Sequence, residues 1–256
     1  MIDPRAIVDP TARIADGVVI EAYAIVGADV EIGTGSWVGH HAVIKGPTTM
    51  GRDNRVFQFA SIGEEPQDKK YAGEPTRLEI GERNVFREHV TVNRGTVQDG
   101  NLTSIGSDNW IMTGVHIAHD CHVGNHTIFS NNASLAGHVT VGDFAILGGF
   151  TLVHQFCEIG AHCFTAMGSV IPKDVPPYVL VSGHMAKPYG LNVEGLKRRD
   201  FSSDSIKALR RAYKLIYKSG LPLQQALEEM QGLVAEYPVV ADLYAFIERS
   251  QRGIIR

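Results

Sequence analysis

Between residues 114 and 125 the chain reads GVHIAHDCHVGN, with His116, His119 and His122 three residues apart and Asp120 and Cys121 between them. Two chemistries fit these residue types. Three imidazoles spaced to share one helix face could hold a metal ion. A histidine beside an aspartate could instead act as a general base whose tautomer the carboxylate fixes. The backbone decides between them, because this spacing brings the side chains together only on a helix.

The surrounding pattern is not helical. Val8, Ile14, Ile20, Val26, Ile32, Val38, Ile44, Met50, Val56 and Ile62 follow in unbroken steps of six, and the position four after each is mostly small, as at Ala12, Ala24, Ser36, Ala42 and Ala60. The register breaks in GEEPQDKKYAGEPTRLE, returns at Ile80, Phe86 and Val92, slips by one residue within GTVQDGNLTS, and resumes from Ile105 to Ile171. A period of six matches neither a helix nor the alternation of a free-standing sheet. It predicts a parallel β-helix, with one short strand per hexad and three hexads in a coil of about eighteen residues.

On that backbone His116, His119 and His122 follow one another round a single coil and point apart. Side chains converge from equivalent positions on neighbouring coils, which for His119 are Gly137 and Gln155 ahead and Asn101 behind. No second imidazole occupies that ladder, so no metal site is expected. The ladder suits acyl transfer to an alcohol. A neutral imidazole takes the hydroxyl proton, typically worth ~10²–10⁴ in rate, while Asp120 holds the ring. The Gly137 N–H meets the developing oxyanion, a donor worth roughly 3–4 kcal/mol. Spacing alone leaves open the alternative that His119 and Asp120 are ordinary polar residues at an exposed β-helix corner. Cys121, Cys157 and Cys163 each fall four after a hexad leader and read as small core residues, not ligands or nucleophiles.

The 256 residues, 44% hydrophobic and 20% charged, can bury a full core. A net charge of −4 gives no electrostatic case for nucleic acid. No apolar run reads as a signal peptide or membrane span, so a cytoplasmic protein is expected. The hexads fade after KDVPPYVLVSGHMAKPYG, and helical periodicity takes over in FSSDSIKALRRAYKLIYKSG, capped by Ser202 or Ser203 and stopped at Gly220. A second helix opens at Pro222, and a third runs from about Pro238 to Arg249. The expected organisation is mainly β: a β-helix over 1–190, interrupted by a loop at about 63–79, and a small helical domain over 191–256.

The hexad register, IAHDCHVGN, NNASLAGHVTVGDFAILGGFTLVHQFCEIGAH and NVEGLKRRDFS together resemble the UDP-N-acetylglucosamine 3-O-acyltransferase family of lipid A biosynthesis, from MIDPRAIVDPTARI to the terminal RGIIR. The resemblance implies a left-handed β-helix and a homotrimer with active sites in the clefts between subunits. It implies transfer of a 3-hydroxyacyl group from acyl carrier protein to the 3-hydroxyl of UDP-N-acetylglucosamine, with no cofactor. His119 would be the base, Asp120 its orienting carboxylate and Gly137 the oxyanion donor. Asp68 and Lys70, on the interrupting loop, would contact sugar or acyl donor, and His116, His138, His154 and Gln155 would line the substrate groove. Asn192, Glu194, Arg198 and Arg199 would lie near the nucleotide, where guanidinium groups suit phosphate. Met167 would close the acyl groove early, favouring a chain of ~10 carbons over ~14. Two residues depart from the family pattern: Asn93, where histidine is common, and Asp200, where glycine is common.

Three other readings compete. One is the N-acyltransferase acting later in the same pathway, against which hexads starting at Val8 argue, because they leave no separate uridine-binding domain ahead of them. Another is a zinc hydratase of the carbonic anhydrase type, built on the same β-helix. The third is a scaffold without chemistry.

Overall fold

The structure, a computed structural model, describes residues 1–256. Its β-helix is a three-sided prism of parallel sheets. The first sheet runs from Ile7–Val8 to Val170–Ile171, the second from Arg13–Ile14 to Glu158–Ile159, and the third from Val19–Ile20 to Lys187–Leu191. Successive strands go to successive sheets, so each coil contributes one strand to each face. Ile7 pairs with Ile25 and His116 with Ser134, the eighteen-residue step that the hexads predict.

The hexad leaders point inward. Ile44, Ile62, Phe86, Ile117 and Leu135 are fully buried, part of a continuous core of 43 residues. The small residues four positions later fill the corners of the prism, and Ala24, Ala42, Cys121, Cys157 and Cys163 are among them. Burial pushes the Cys121 and Cys163 thiols up to about 12, which leaves them protonated and inert. Corner carboxamides satisfy one another inside the prism: Asn84 donates through Nδ2 to Asn54 Oδ1 (3.0 Å), and the Asn109 and Thr127 amides continue the ladder.

Two excursions leave the prism at one edge, where the first sheet hands over to the second. One lies between Ser61–Glu64 and Arg77–Ile80, and the other, containing the 3₁₀ turn Val97–Asp99, lies between Thr91–Asn93 and Leu102–Ile105. They stretch the pairing interval, so that Ser61 partners Thr91 and Thr91 partners His116. They are tied to each other. Arg94 donates to the Gly63 carbonyl (2.7 Å) and the Tyr71 hydroxyl (3.3 Å), and Asn93 to the Glu65 carbonyl (2.7 Å).

Four helices follow: α1 (Val193–Lys197), α2 (Ser203–Lys218), α3 (Leu223–Glu236) and α4 (Pro238–Arg249). The Ser202 hydroxyl caps α2 by accepting from the Ser205 N–H, and Gly220, at φ 75°, lets the chain turn away after it. Their apolar faces meet in a second core of 15 residues. No helix is long and apolar enough to cross a membrane. Two elements depart from the sequence reading: α1, and the antiparallel return of Lys187–Leu191 on Val179–Ser182. Helix α1 spans five residues, too few to show a 3.6-residue period, and its stability comes from the Asn192 side chain accepting the Gly195 N–H (3.2 Å).

Candidate active site

The edge that carries both excursions also carries His119. Asp120 turns that corner with φ 58°, a left-handed conformation that aspartate tolerates better than most residues. This turn buries the Asp120 side chain while the preceding imidazole stays at the surface, 14% exposed. His119 Nδ1 lies 2.7 Å from Asp120 Oδ2. The carboxylate also accepts the Thr96 N–H and the Thr96 hydroxyl, both at 2.6 Å, and the Asp120 N–H donates to Thr103 Oγ1 (2.8 Å). Burial alone would raise the Asp120 pKa, but the bonds from His119 and Thr96 and the charge of His138 outweigh it and hold the acid below its ordinary value. Asp120 is therefore an anion locked in place, and it fixes the His119 ring with Nδ1 spent and Nε2 free.

Gly137 sits on that ring. A Cβ there would lie 2.6 Å from His119 Cε1 and 2.9 Å from Nε2, so any side chain would collide with the imidazole. The Gly137 N–H makes no hydrogen bond within the chain. A reacting atom outside this corner would meet a basic nitrogen and a free amide together.

His138, on the next coil, approaches as well. Its ring stands edge-on to His119 with centroids 5.1 Å apart, stacks on Phe156 at 4.4 Å, and places Nδ1 2.8 Å from Asp99 Oδ2. This corrects the eighteen-residue argument, which put no second imidazole near His119. The nineteenth residue arrives because corner positions project sideways and can reach round the turn. His119, Asp120 and His138 offer ligand atoms within 4.8 Å of one another. Their hydrogen bonds are those of a proton-holding network, with each Nδ1 spent on a carboxylate.

His116 and His122 do point apart, as the β-helix requires. His116 Nδ1 meets Thr91 Oγ1 and His122 Nδ1 meets Ser104 Oγ, each at 2.8 Å, on different sheets. Burial pulls His116 below its ordinary pKa, and nearby His119 adds to the effect. His154 and Gln155 are exposed one coil beyond Gly137, on the same edge. Asp68 accepts the Lys70 N–H (3.0 Å) in the first excursion, and the Lys70 side chain is exposed.

The other residues singled out in the sequence lie on other edges. Met167, 82% exposed, marks the edge between the third and first sheets. Asn192 and Arg199 belong to the edge between the second and third. Asn192 is a helix cap that also donates to the His162 carbonyl (3.0 Å), and Arg199 lies over the Phe144 ring at 4.2 Å. Glu194 pairs with Lys197 (3.0 Å), and Arg198 is exposed. Asp200 has φ 59°, a left-handed backbone that glycine adopts without strain, at the position after α1. Asn93 is buried and turned toward the first excursion. Grooves of about 780 and 600 Å³ open between α2 and α3 and at the N-terminal coil, and neither reaches His119.

Thr96, Thr103, Asp99 and Phe156 escaped the sequence reading. The one signal for the first three was the register slip in GTVQDGNLTS, which marks a chain segment leaving the prism beside the His119 corner.

Comparison with known proteins identifies the family. Residues 102–137 match the bacterial transferase hexapeptide family, and residues 174–255 match UDP-N-acetylglucosamine O-acyltransferase, domain 2. The acyl-[acyl-carrier-protein]–UDP-N-acetylglucosamine O-acyltransferase of Herminiimonas arsenicoxydans is 55% identical over 260 residues, covering 100% of this chain and 99% of that protein. The LpxA structure from Acinetobacter baumannii is 48% identical with a TM-score of 0.97, and that of the Moraxella catarrhalis enzyme is 47% identical with a TM-score of 0.98. Each covers 100% of this chain and 99% of its own. The chain belongs to the acyl-[acyl-carrier-protein]–UDP-N-acetylglucosamine O-acyltransferase family.

Proposed function

We propose that the chain transfers a 3-hydroxyacyl group from an acyl carrier protein thioester to the 3-hydroxyl of UDP-N-acetylglucosamine. The observation that carries this reading is the His119 imidazole, pinned through Nδ1 to a buried carboxylate and capped by the free amide of Gly137. His119 Nε2 accepts the sugar hydroxyl proton as that oxygen attacks the thioester carbonyl. The carbonyl oxygen, now an oxyanion, takes the Gly137 N–H. Collapse of the tetrahedral intermediate breaks the C–S bond, and the thiolate leaves with the proton held by the imidazolium. In this reading the reaction takes place in the cytoplasm.

The working unit in this reading is a homotrimer. Two faces of the prism support it. Outward residues of the third sheet include Val19, Trp37, Trp110, Ile128, Ile146 and Phe164, with Arg55 among them, and those of the first alternate between apolar Ile7, Ile25, Val43 and Leu152 and polar Ser61, Thr91, His116 and Ser134. The second sheet instead turns out Arg13, Glu31, Glu79, His122 and Glu158. A largely apolar third face and a mixed first face beside a charged second one suit closure about a threefold axis. Closure would bring edges of neighbouring prisms together, so Met167, Asn192, Glu194, Arg198 and Arg199 need not share a chain with the His119 they serve. His116, His138, His154, Gln155, Asp68 and Lys70 line the His119 side of the cleft. The division into a β-helix over 1–190 and a helical domain over 191–256 belongs to the same reading.

Met167 sets the acyl length. Denying about four methylenes a site at ~0.8 kcal/mol each costs about 3 kcal/mol, a discrimination on the order of 10²-fold. Incubation of the protein with UDP-N-acetylglucosamine and 3-hydroxyacyl carrier proteins of graded length, with products weighed by mass spectrometry, tests both claims. The expected product is an O-acylated nucleotide sugar formed best with a chain of ~10 carbons, broadened toward ~14 in Met167→Gly. No product from any donor would end the functional reading, and a Met167→Gly profile identical to the wild type would end the ruler alone.

A further inference from the structure

A second histidine and carboxylate stand against the first pair. His138 Nδ1 is 2.8 Å from Asp99 Oδ2, and its Nε2 is 3.7 Å from Asp120 Oδ2. Asp99 reaches His138 from the second excursion, thirty-nine residues away in sequence. That excursion is anchored at its other end on the base pair itself, because Thr96, which precedes the 3₁₀ turn Val97–Asp99, gives both of its bonds to Asp120. Gly100, at φ 70°, then returns the chain to the prism. One short turn therefore holds the carboxylate of the first pair and supplies the carboxylate of the second.

We propose that Asp99 is a positioning residue for acyl transfer, fixing the orientation and tautomer of His138 beside the His119 base. Phe156 covers one face of the His138 ring and His119 meets it edge-on, which sets the ring plane. Neither contact distinguishes the ring from its flipped form, in which a carbon would replace Nδ1. The Asp99 carboxylate makes that distinction by accepting from Nδ1–H, which leaves Nε2 as the nitrogen turned toward Asp120 and the cleft. Stability does not account for the pair. Asp99 is 51% exposed, and solvent screens such an ion pair to a small contribution. Its value lies in the geometry it imposes, as it does for residues that orient metal-bound or catalytic histidines, where loss of the partner costs ~10–100-fold.

This inference rests on the proposed acyltransferase reading for its kinetic consequence, but its structural half is measured without substrate. Nitrogen-detected NMR of the imidazoles in the full-length protein should show His138 protonated at Nδ1 in the wild type and in Asp99→Asn, whose amide oxygen still accepts. Asp99→Ala should show a mixture of tautomers. In steady-state transfer assays Asp99→Ala should lose ~10-fold in kcat, Asp99→Asn should stay within about threefold of wild type, and melting temperatures should differ by no more than about 3 °C. An unchanged tautomer and unchanged kcat in Asp99→Ala would overturn the proposal. An Asp99→Asn variant as slow as Asp99→Ala would also overturn it, because charge and not orientation would then be at issue. If no acyl transfer occurs in the wild type, the functional reading fails while the tautomer result still decides the role of Asp99.

Discussion

A single methyl group is the finest probe of the His119 corner. Gly137 is required there by space and not by backbone conformation, since the imidazole already occupies the volume of a Cβ, at 2.6 Å from Cε1. Gly137→Ala must therefore push the ring off Asp120 or away from the cleft. Displacement of a catalytic group by about 1 Å costs on the order of 10²-fold, so kcat in the transfer assay should fall by that much while circular dichroism and melting stay close to wild type. Retained kcat would mean that the ring moves without consequence. Asp120 carries the pH dependence of the pair. Its folded pKa is depressed, so the stability it contributes is present above the unfolded-state value and is lost as pH falls through the folded one.

The corner stacks are the next scale. On the edge between the second and third sheets, His126, Phe144, His162 and Tyr178 stack coil upon coil, and Phe201 closes the end against His162. Burial, aided by the Arg199 charge and opposed by Asp143 and Asp242, depresses His162 to about 4. The sign follows directly. The unfolded chain binds a proton near pH 6.5 and the folded one does not, so this ring costs stability as pH falls from about 6.5 to 4, by at most about 3 kcal/mol. His162→Phe keeps the stack and removes the proton acceptor. Urea midpoints measured across that range should fall less steeply in the variant, and parallel curves would show that His162 does not titrate between the two states.

The same scale shows what the sequence could disclose. Hexads were legible because every leader, from Ile20 to Ile171, is buried by the same geometry, and helices α2 to α4 because each is long enough to display a stripe. The excursions were visible only as interruptions, since Arg94, Thr96 and Asp99 obey no period and are placed by tertiary bonds. His119 and Gly137 could be paired by counting eighteen residues, whereas His138 reaches the base from the nineteenth position by turning round a corner, a displacement that a register count does not contain. Asn192 is expected near the nucleotide from resemblance, and it also caps α1, a helix with too few turns to announce itself.

At the scale of the whole molecule, the apolar third face sets the prediction. Trp110, 43% exposed in the single chain, sits on that face between Val85 and Ile128. Burying a charge there without a partner costs several kcal/mol, so Trp110→Asp should lower the mass found by light scattering from three times the 27.9 kDa chain toward one, with activity lost in parallel. An active monomer would refute the shared cleft. Whether His119 is the base is decided by assaying His119→Ala beside the wild type with UDP-N-acetylglucosamine and the preferred acyl donor. The variant should remain a folded protein of wild-type mass with turnover lower by at least ~10². Turnover within a few-fold of wild type in that folded variant would contradict that role.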